Sequence, residues 1–145
     1  MIDEKIVSLI PHRPPFLWVD RIIDISADSI ETEKTFPDDL DVFSGHYPGN
    51  PLMPGVLLCE AMFQSGALLL ADAFGKSANA PDTLIPVLTK IKDARFKRRV
   101  FPGETIIISV RLIEKISSLC VLKGTARVAG EVAVKSEFTC ALITP

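Results

Sequence analysis

VLLCEAMFQSGALLLADAF, residues 56–74, is apolar on every side, and its reading decides the fold. The stretch is nearly long enough to span a bilayer. Glu60, Gln64 and Asp72 interrupt it, however, and an ionisable group in hydrocarbon is expensive. A helix apolar all round whose few polar groups have to be satisfied inside protein is a core helix of a soluble domain. Pro54-Gly55 supplies its start, where the first N–H groups lack intrahelical partners and proline costs nothing.

Such a helix needs a cover, and the rest of the chain provides one. Residues 84–96, 104–115, 118–128 and 132–143 are rich in β-branched side chains and are divided by FPGE, SS and AGE. They predict four strands joined as an antiparallel meander. Towards the N-terminus, residues 3–9 predict a short helix stopped by PHRPP, and residues 16–25 and 29–36 predict a hairpin turning on SAD. GKSANAPD, residues 75–82, reads as a turn-rich connection. The fold class is α+β: one domain over residues 1–145, an antiparallel sheet wrapped around a long central helix in the hot-dog architecture. A single copy leaves the strand before the helix region and the open sheet edges unpaired, which predicts a dimer or a multiple of one.

Composition narrows the class further. The 145 residues are 48% hydrophobic and 23% charged, with a net charge of −2. Cys59, Cys120 and Cys140 form no C-x-x-C pair and sit at no metal-ligand spacing from a histidine, so no metal is expected. Free thiols and a first segment, MIDEKIVSLI, without a cleavable apolar core predict a cytoplasmic protein. Lys90, Lys92, Arg95, Lys97, Arg98 and Arg99 place six cations within ten residues of a chain that is acidic overall. Only Phe96 interleaves with them, so an acidic protein partner fits this run better than nucleic acid.

The chemistry lies just before and inside the helix, in SGHYPGNPLMPGVLLCEAMFQ, residues 44–64. Glycines and prolines stiffen the loop that carries His46, a neutral base near physiological pH. Among Leu57, Leu58, Met62 and Phe63, desolvation disfavours a charged carboxylate, so Glu60 reads as a proton donor. Gln64 is four residues on, sharing the same helix face and within hydrogen-bonding reach. Gly55, without a Cβ, opens its N–H at the helix start to a developing oxyanion. Base, acid and oxyanion donor together suit removal of a proton beside a carbonyl with loss of water. Cys59 lies next to Glu60 in sequence but about 100° around the helix, facing the core. His12, beside the restricting Pro14-Pro15 pair, reads as structural.

GHYPGNPLMPGVLLCEAMFQ resembles the signature of the Z-type β-hydroxyacyl-(acyl carrier protein) dehydratases of bacterial fatty-acid synthesis. IPHRPPFLWVDRI, residues 10–22, and DARFKRRVFPGE, residues 93–104, resemble further segments of that family in the same order. The resemblance implies dehydration of a (3R)-3-hydroxyacyl-(acyl carrier protein) to its trans-2-enoyl form, with no cofactor. It implies His46 as base at the α-carbon, Glu60 as acid to the leaving hydroxyl, the Gly55 N–H polarising the thioester carbonyl and Gln64 orienting the acid. It also implies docking of acyl carrier protein on the cationic run. A homodimer with shared active sites, assembled as a trimer of dimers, would bring His46 of one copy to Glu60 of the other.

Phe63 stands where the family usually has alanine and would shape the acyl tunnel, while Tyr47, Lys90, Lys92 and Arg99 also depart from the usual residues. Two rival readings are a thioesterase on the same fold and a non-catalytic acyl-binding module plugged by Phe63.

Overall fold

The computed structural model describes residues 2–75 and 84–144. The turn-rich connection predicted over 75–82 therefore lies almost wholly outside the described residues. Helix α1 (Glu4–Leu9) is capped by Asp3, whose carboxylate accepts the Lys5 N–H. The hairpin follows as β1 (Arg21–Ile25) and β2 (Ser29–Thr35). Helix α2 (Val42–Gly45) is a single turn, and α3 (Gly55–Phe74) is the long helix. Strands β3 (Ile85–Phe96), β4 (Thr105–Ile116), β5 (Leu119–Val128) and β6 (Glu131–Ile143) complete the chain.

One six-stranded antiparallel sheet, in the order β1-β2-β4-β5-β6-β3, packs against α3. Every residue of α3 from Ala61 to Ala71 is buried, which accounts for the missing polar face. Leu68, Leu69 and Leu70 are fully buried and contribute about 2 kcal/mol apiece by burial. Backbone approach is close at two glycines. A Cβ on Gly124 would stand 2.4 Å from the Met62 sulfur, and one on Gly66 would stand 2.9 Å from the Phe138 ring. The buried hydroxyls are paired: Ser65 donates to the Ala61 carbonyl at 2.8 Å and accepts from Thr32 at 2.8 Å.

Three expectations are corrected. First, β3 does not join a four-strand meander: only β4, β5 and β6 follow one another, and β3 crosses to the far side of the sheet to pair with β6. The segment containing FPGE is the crossover, too long for a hairpin turn. Second, the strand before the helix region is not unpaired, because β2 lies between β1 and β4; the free edges belong to β1 and β3. Third, residues 16–20 stay outside the sheet, since the chain leaving Pro14-Pro15 inserts Leu17, Trp18 and Val19 into the core before β1 begins.

The two long edge-side neighbours differ sharply. Strand β6 alternates between core and solvent, whereas β3 is exposed along most of its length. On β3 Val87, Leu88, Ile91 and Phe96 all present apolar surface to solvent beside an unpaired edge.

Candidate active site

Glu60 lies on α3 and is held rather than merely buried. Gln64, one turn on, donates from Nε2 to Glu60 Oε2 at 2.9 Å and to the Phe16 carbonyl at 3.0 Å. Its Oε1 accepts the Trp18 N–H at 2.8 Å. The two main-chain contacts fix which end of the amide faces the carboxyl, so the NH2 group points at Glu60. Gln64 itself is 1% exposed. Glu60 is not sunk in the core as its apolar neighbours predicted: its side chain keeps 24% exposure. It opens on a cavity of about 300 Å³ that Phe63, Gln64, His12, Cys140 and the start of β3 also line.

His46 caps the end of α2. Its N–H bonds the Val42 carbonyl, and its own carbonyl accepts the Leu52 N–H at 3.0 Å. The ring Nδ1 stands 2.8 Å from the Leu52 carbonyl. A carbonyl only accepts, so Nδ1 carries a hydrogen, and in the neutral ring the lone pair lies on Nε2. Tyr47 stacks on the ring at 4.1 Å between centroids. The loop is pinned to the body of the protein where Met53 donates to the Val100 carbonyl at 2.7 Å.

At the start of α3 the Pro54 carbonyl accepts from Leu57 and Leu58, which leaves the Gly55 and Val56 N–H groups without an intrahelical acceptor. The glycine also lets an exposed ring approach closely, which the sequence did not show. A Cβ at Gly55 would meet the Phe96 ring of β3 at 2.7 Å. Gly55 and Phe96 line a cleft of about 800 Å³ with Lys97, Arg98 and Arg99.

A single chain therefore groups Glu60, Gln64 and Phe63 in one cavity and Gly55 in another, and His46 lines neither. Phe63 packs against Phe138 with centroids 4.8 Å apart, on the inner side of the Glu60 cavity. His12, which the sequence marked only as structural, places its Nε2 3.9 Å from Glu60 Oε2. The signal for it was spatial: Gln64 draws residues 16–18 onto α3, and the PHRPP segment comes with them.

The cationic run divides. Lys90 is exposed, and Lys92, Arg95 and Lys97 line a cleft of about 440 Å³ with Lys123 and Lys135, where Lys92 meets Glu137 at 3.2 Å and Arg95 meets Asp93 at 3.1 Å. Arg98 is committed internally: it makes a two-pronged pair with Glu104 at 2.9 and 3.0 Å and reaches Glu131 at 3.1 Å. The Arg98 hydrogen bonds hold the Glu104 carboxyl below its ordinary value, helped by the Phe101 N–H. This staples the crossover between β3 and β4.

The thiols are buried. Burial pushes Cys140 up to about 12, with smaller contributions from Cys120 and Glu60, and burial raises Cys59 as well. Among the described residues no group of three His, Cys, Asp or Glu side chains converges as a metal would need.

The family model described as FabA-like domain matches residues 10–137. The chain belongs to the FabA-like family. A protein of Petrotoga mobilis named 3-hydroxyacyl-(acyl-carrier-protein) dehydratase FabZ is 36% identical to this FabA-like chain over 93% of each. One of the same name from Sodalis glossinidius is 40% identical over 95% of this chain and 90% of its own. Among solved structures, the dehydratase heterocomplex ApeI:P from Xenorhabdus doucetiae superposes with a TM-score of 0.80 at 17% identity, covering 96% of this chain and 91% of that one. A hypothetical thioesterase with coenzyme A from Streptococcus pneumoniae TIGR4 gives 0.67 at 14% identity, over 86% and 88%. At those identities the two structures speak for the shared fold alone, and the FabA-like chain has the hot-dog fold.

Proposed function

We propose that this FabA-like chain dehydrates a (3R)-3-hydroxyacyl thioester on acyl carrier protein to the trans-2-enoyl thioester, within fatty-acid or related lipid synthesis. The observation that carries the reading is the pair of oriented groups: His46 with Nε2 free by virtue of the Leu52 carbonyl, and Glu60 held by a fully bonded Gln64. Relatives at 36–40% identity bear the dehydratase name. His46 takes the α-proton, and the C–H electrons form the new C=C bond. Glu60 protonates the 3-hydroxyl, which leaves as water. The Gly55 N–H stabilises negative charge on the thioester oxygen in between.

The two halves meet between chains in this reading. The Glu60 cavity is walled on one side by Ile85–Leu88 of β3, a strand with a free edge. A second copy seated on that edge would cover the exposed apolar side chains and supply the His46 that completes the site. A trimer of dimers is the larger assembly proposed. Lys90, Lys92, Arg95, Lys97 and Arg99 are the proposed docking surface for the acidic carrier protein, with Arg98 holding the crossover in place. Phe63 shapes the acyl end of the cavity. The cytoplasm is the proposed location.

The test is water loss from a 3-hydroxyacyl carrier protein, followed by mass spectrometry for the wild type and His46→Ala. Loss of 18 mass units (about one water, from simple elimination) in the wild type and its disappearance in the variant are expected. No water loss by the wild type across several chain lengths would overturn the reading.

A further inference from the structure

Two nitrogens face one oxygen of Glu60. The Gln64 amide donates to Oε2 at 2.9 Å, and the His12 Nε2 stands 3.9 Å from that same atom. The other ring nitrogen of His12, Nδ1, is buried with no hydrogen-bond partner. Leaving an N–H buried without an acceptor costs more than leaving a lone pair there, and orphaned N–H groups are the rarer of the two. The neutral ring therefore keeps its hydrogen on Nε2, the nitrogen that stands 3.9 Å from the Glu60 carboxyl. The backbone beneath the ring is held in place. Arg13 donates to the carbonyls of Val7, Ile10 and His12 and so ties down the segment that carries it.

We infer that His12 is a positioning residue for Glu60: its Nε2–H joins the Gln64 amide in fixing Oε2 as the accepting oxygen, so that Oε1 carries the proton. This rests on the dehydratase reading above and adds to it the face of the carboxyl that reacts. Oε1–H gives its proton to the 3-hydroxyl as the C–O bond breaks and water leaves, and Glu60 is left as a carboxylate. His46 holds the α-proton, and both groups return to their starting states by exchange with solvent. In the carboxylate the two N–H donors still converge on Oε2, so the incoming proton again finds Oε1. A closure of about 1 Å brings the His12 contact into hydrogen-bonding range. Catalytic hydrogen bonds commonly tighten in this way once substrate is bound.

Two readouts test the inference on the full chain. Long-range proton–nitrogen NMR of the substrate-free protein reads the tautomer directly: His12 is expected with hydrogen on Nε2, and hydrogen on Nδ1 would overturn the inference whatever the activity. Kinetics supply the second. His12→Phe keeps a ring without a donor, and kcat is expected to fall about tenfold with KM and melting temperature nearly unchanged. His12→Gln, whose amide nitrogen reaches the place of Nε2, should recover most of that loss. Unchanged kcat in His12→Phe, or equal losses in both variants, would also overturn it. If His12→Phe does not fold, the Gln variant against the wild type and the tautomer still decide. A wild type that eliminates no water would count against the dehydratase reading instead, leaving the tautomer to judge His12.

Discussion

Glu60 is gripped through Gln64 by the main chain of residues 16–18, whereas the ring of His46 is held by one hydrogen bond to a carbonyl six residues away. The acid arm is built from long-range contacts that draw residues 16–18 onto the core helix. The base arm is local, made by a loop that folds back on itself and needs only the Leu52 peptide to select its tautomer. The difference separates two kinds of dependence. Damage to the acid arm should reach the core, while damage to the base arm should remove chemistry and leave the fold intact.

The largest expected effect sharpens that contrast. His46→Ala should lower kcat about a thousandfold while the melting temperature hardly moves, because the ring loses only its bond to Leu52 and its stack on Tyr47. Comparing kcat with thermal unfolding of the same sample checks it. Gln64→Leu should do both kinds of harm. It removes the partner of the Trp18 N–H and the Phe16 carbonyl, costing about 2 kcal/mol or more, and it frees Glu60 to rotate. Urea unfolding together with kcat would show the double loss, and a purely catalytic defect would break the comparison.

Gly55→Ala is expected to cost at most about 1 kcal/mol, because its Cβ pushes aside the exposed Phe96 ring. Phe96→Ala in the same chain should relieve that strain, which a double-mutant cycle in denaturant would reveal. Stability should also depend on pH, outside the neutral range. Cys140 sits above its ordinary 9.0 when folded, so its contribution is full below about pH 9 and fades as pH rises towards 12. Glu104 lies below its ordinary 4.5, so its contribution holds above that pH and is lost as the solution is made more acid. Unfolding midpoints across pH should fall off at both ends.

Much of this could be read from residues in order. The absence of a polar face on residues 56–74 announced a core helix, and the β-branched runs between FPGE, SS and AGE announced the last four strands. The G-H-Y-P-G and E-A-M-F-Q segments supplied the residues proposed as base and acid. Pairing partners were hidden, because nothing within residues 84–96 records that they bond to β6 instead of β4. The same limit hid the Phe96 ring over Gly55, the Arg98 staple and the approach of His12 to Glu60. Each joins residues that are brought together only by the completed sheet, by the crossover or by the packing of residues 16–18 on α3. Local patterns gave the elements and the residue types of the site, and long-range packing decides what those residues touch.

The central claim is that each active site takes its acid from one chain and its base from another. Mixing His46→Ala with Glu60→Gln, after dissociation and reassociation, tests it directly through the rate of water loss from a 3-hydroxyacyl carrier protein. Random re-pairing leaves one intact site in each mixed dimer, so about a quarter of wild-type activity should return. No recovery, with mixed dimers demonstrated by native mass spectrometry, would contradict the shared site.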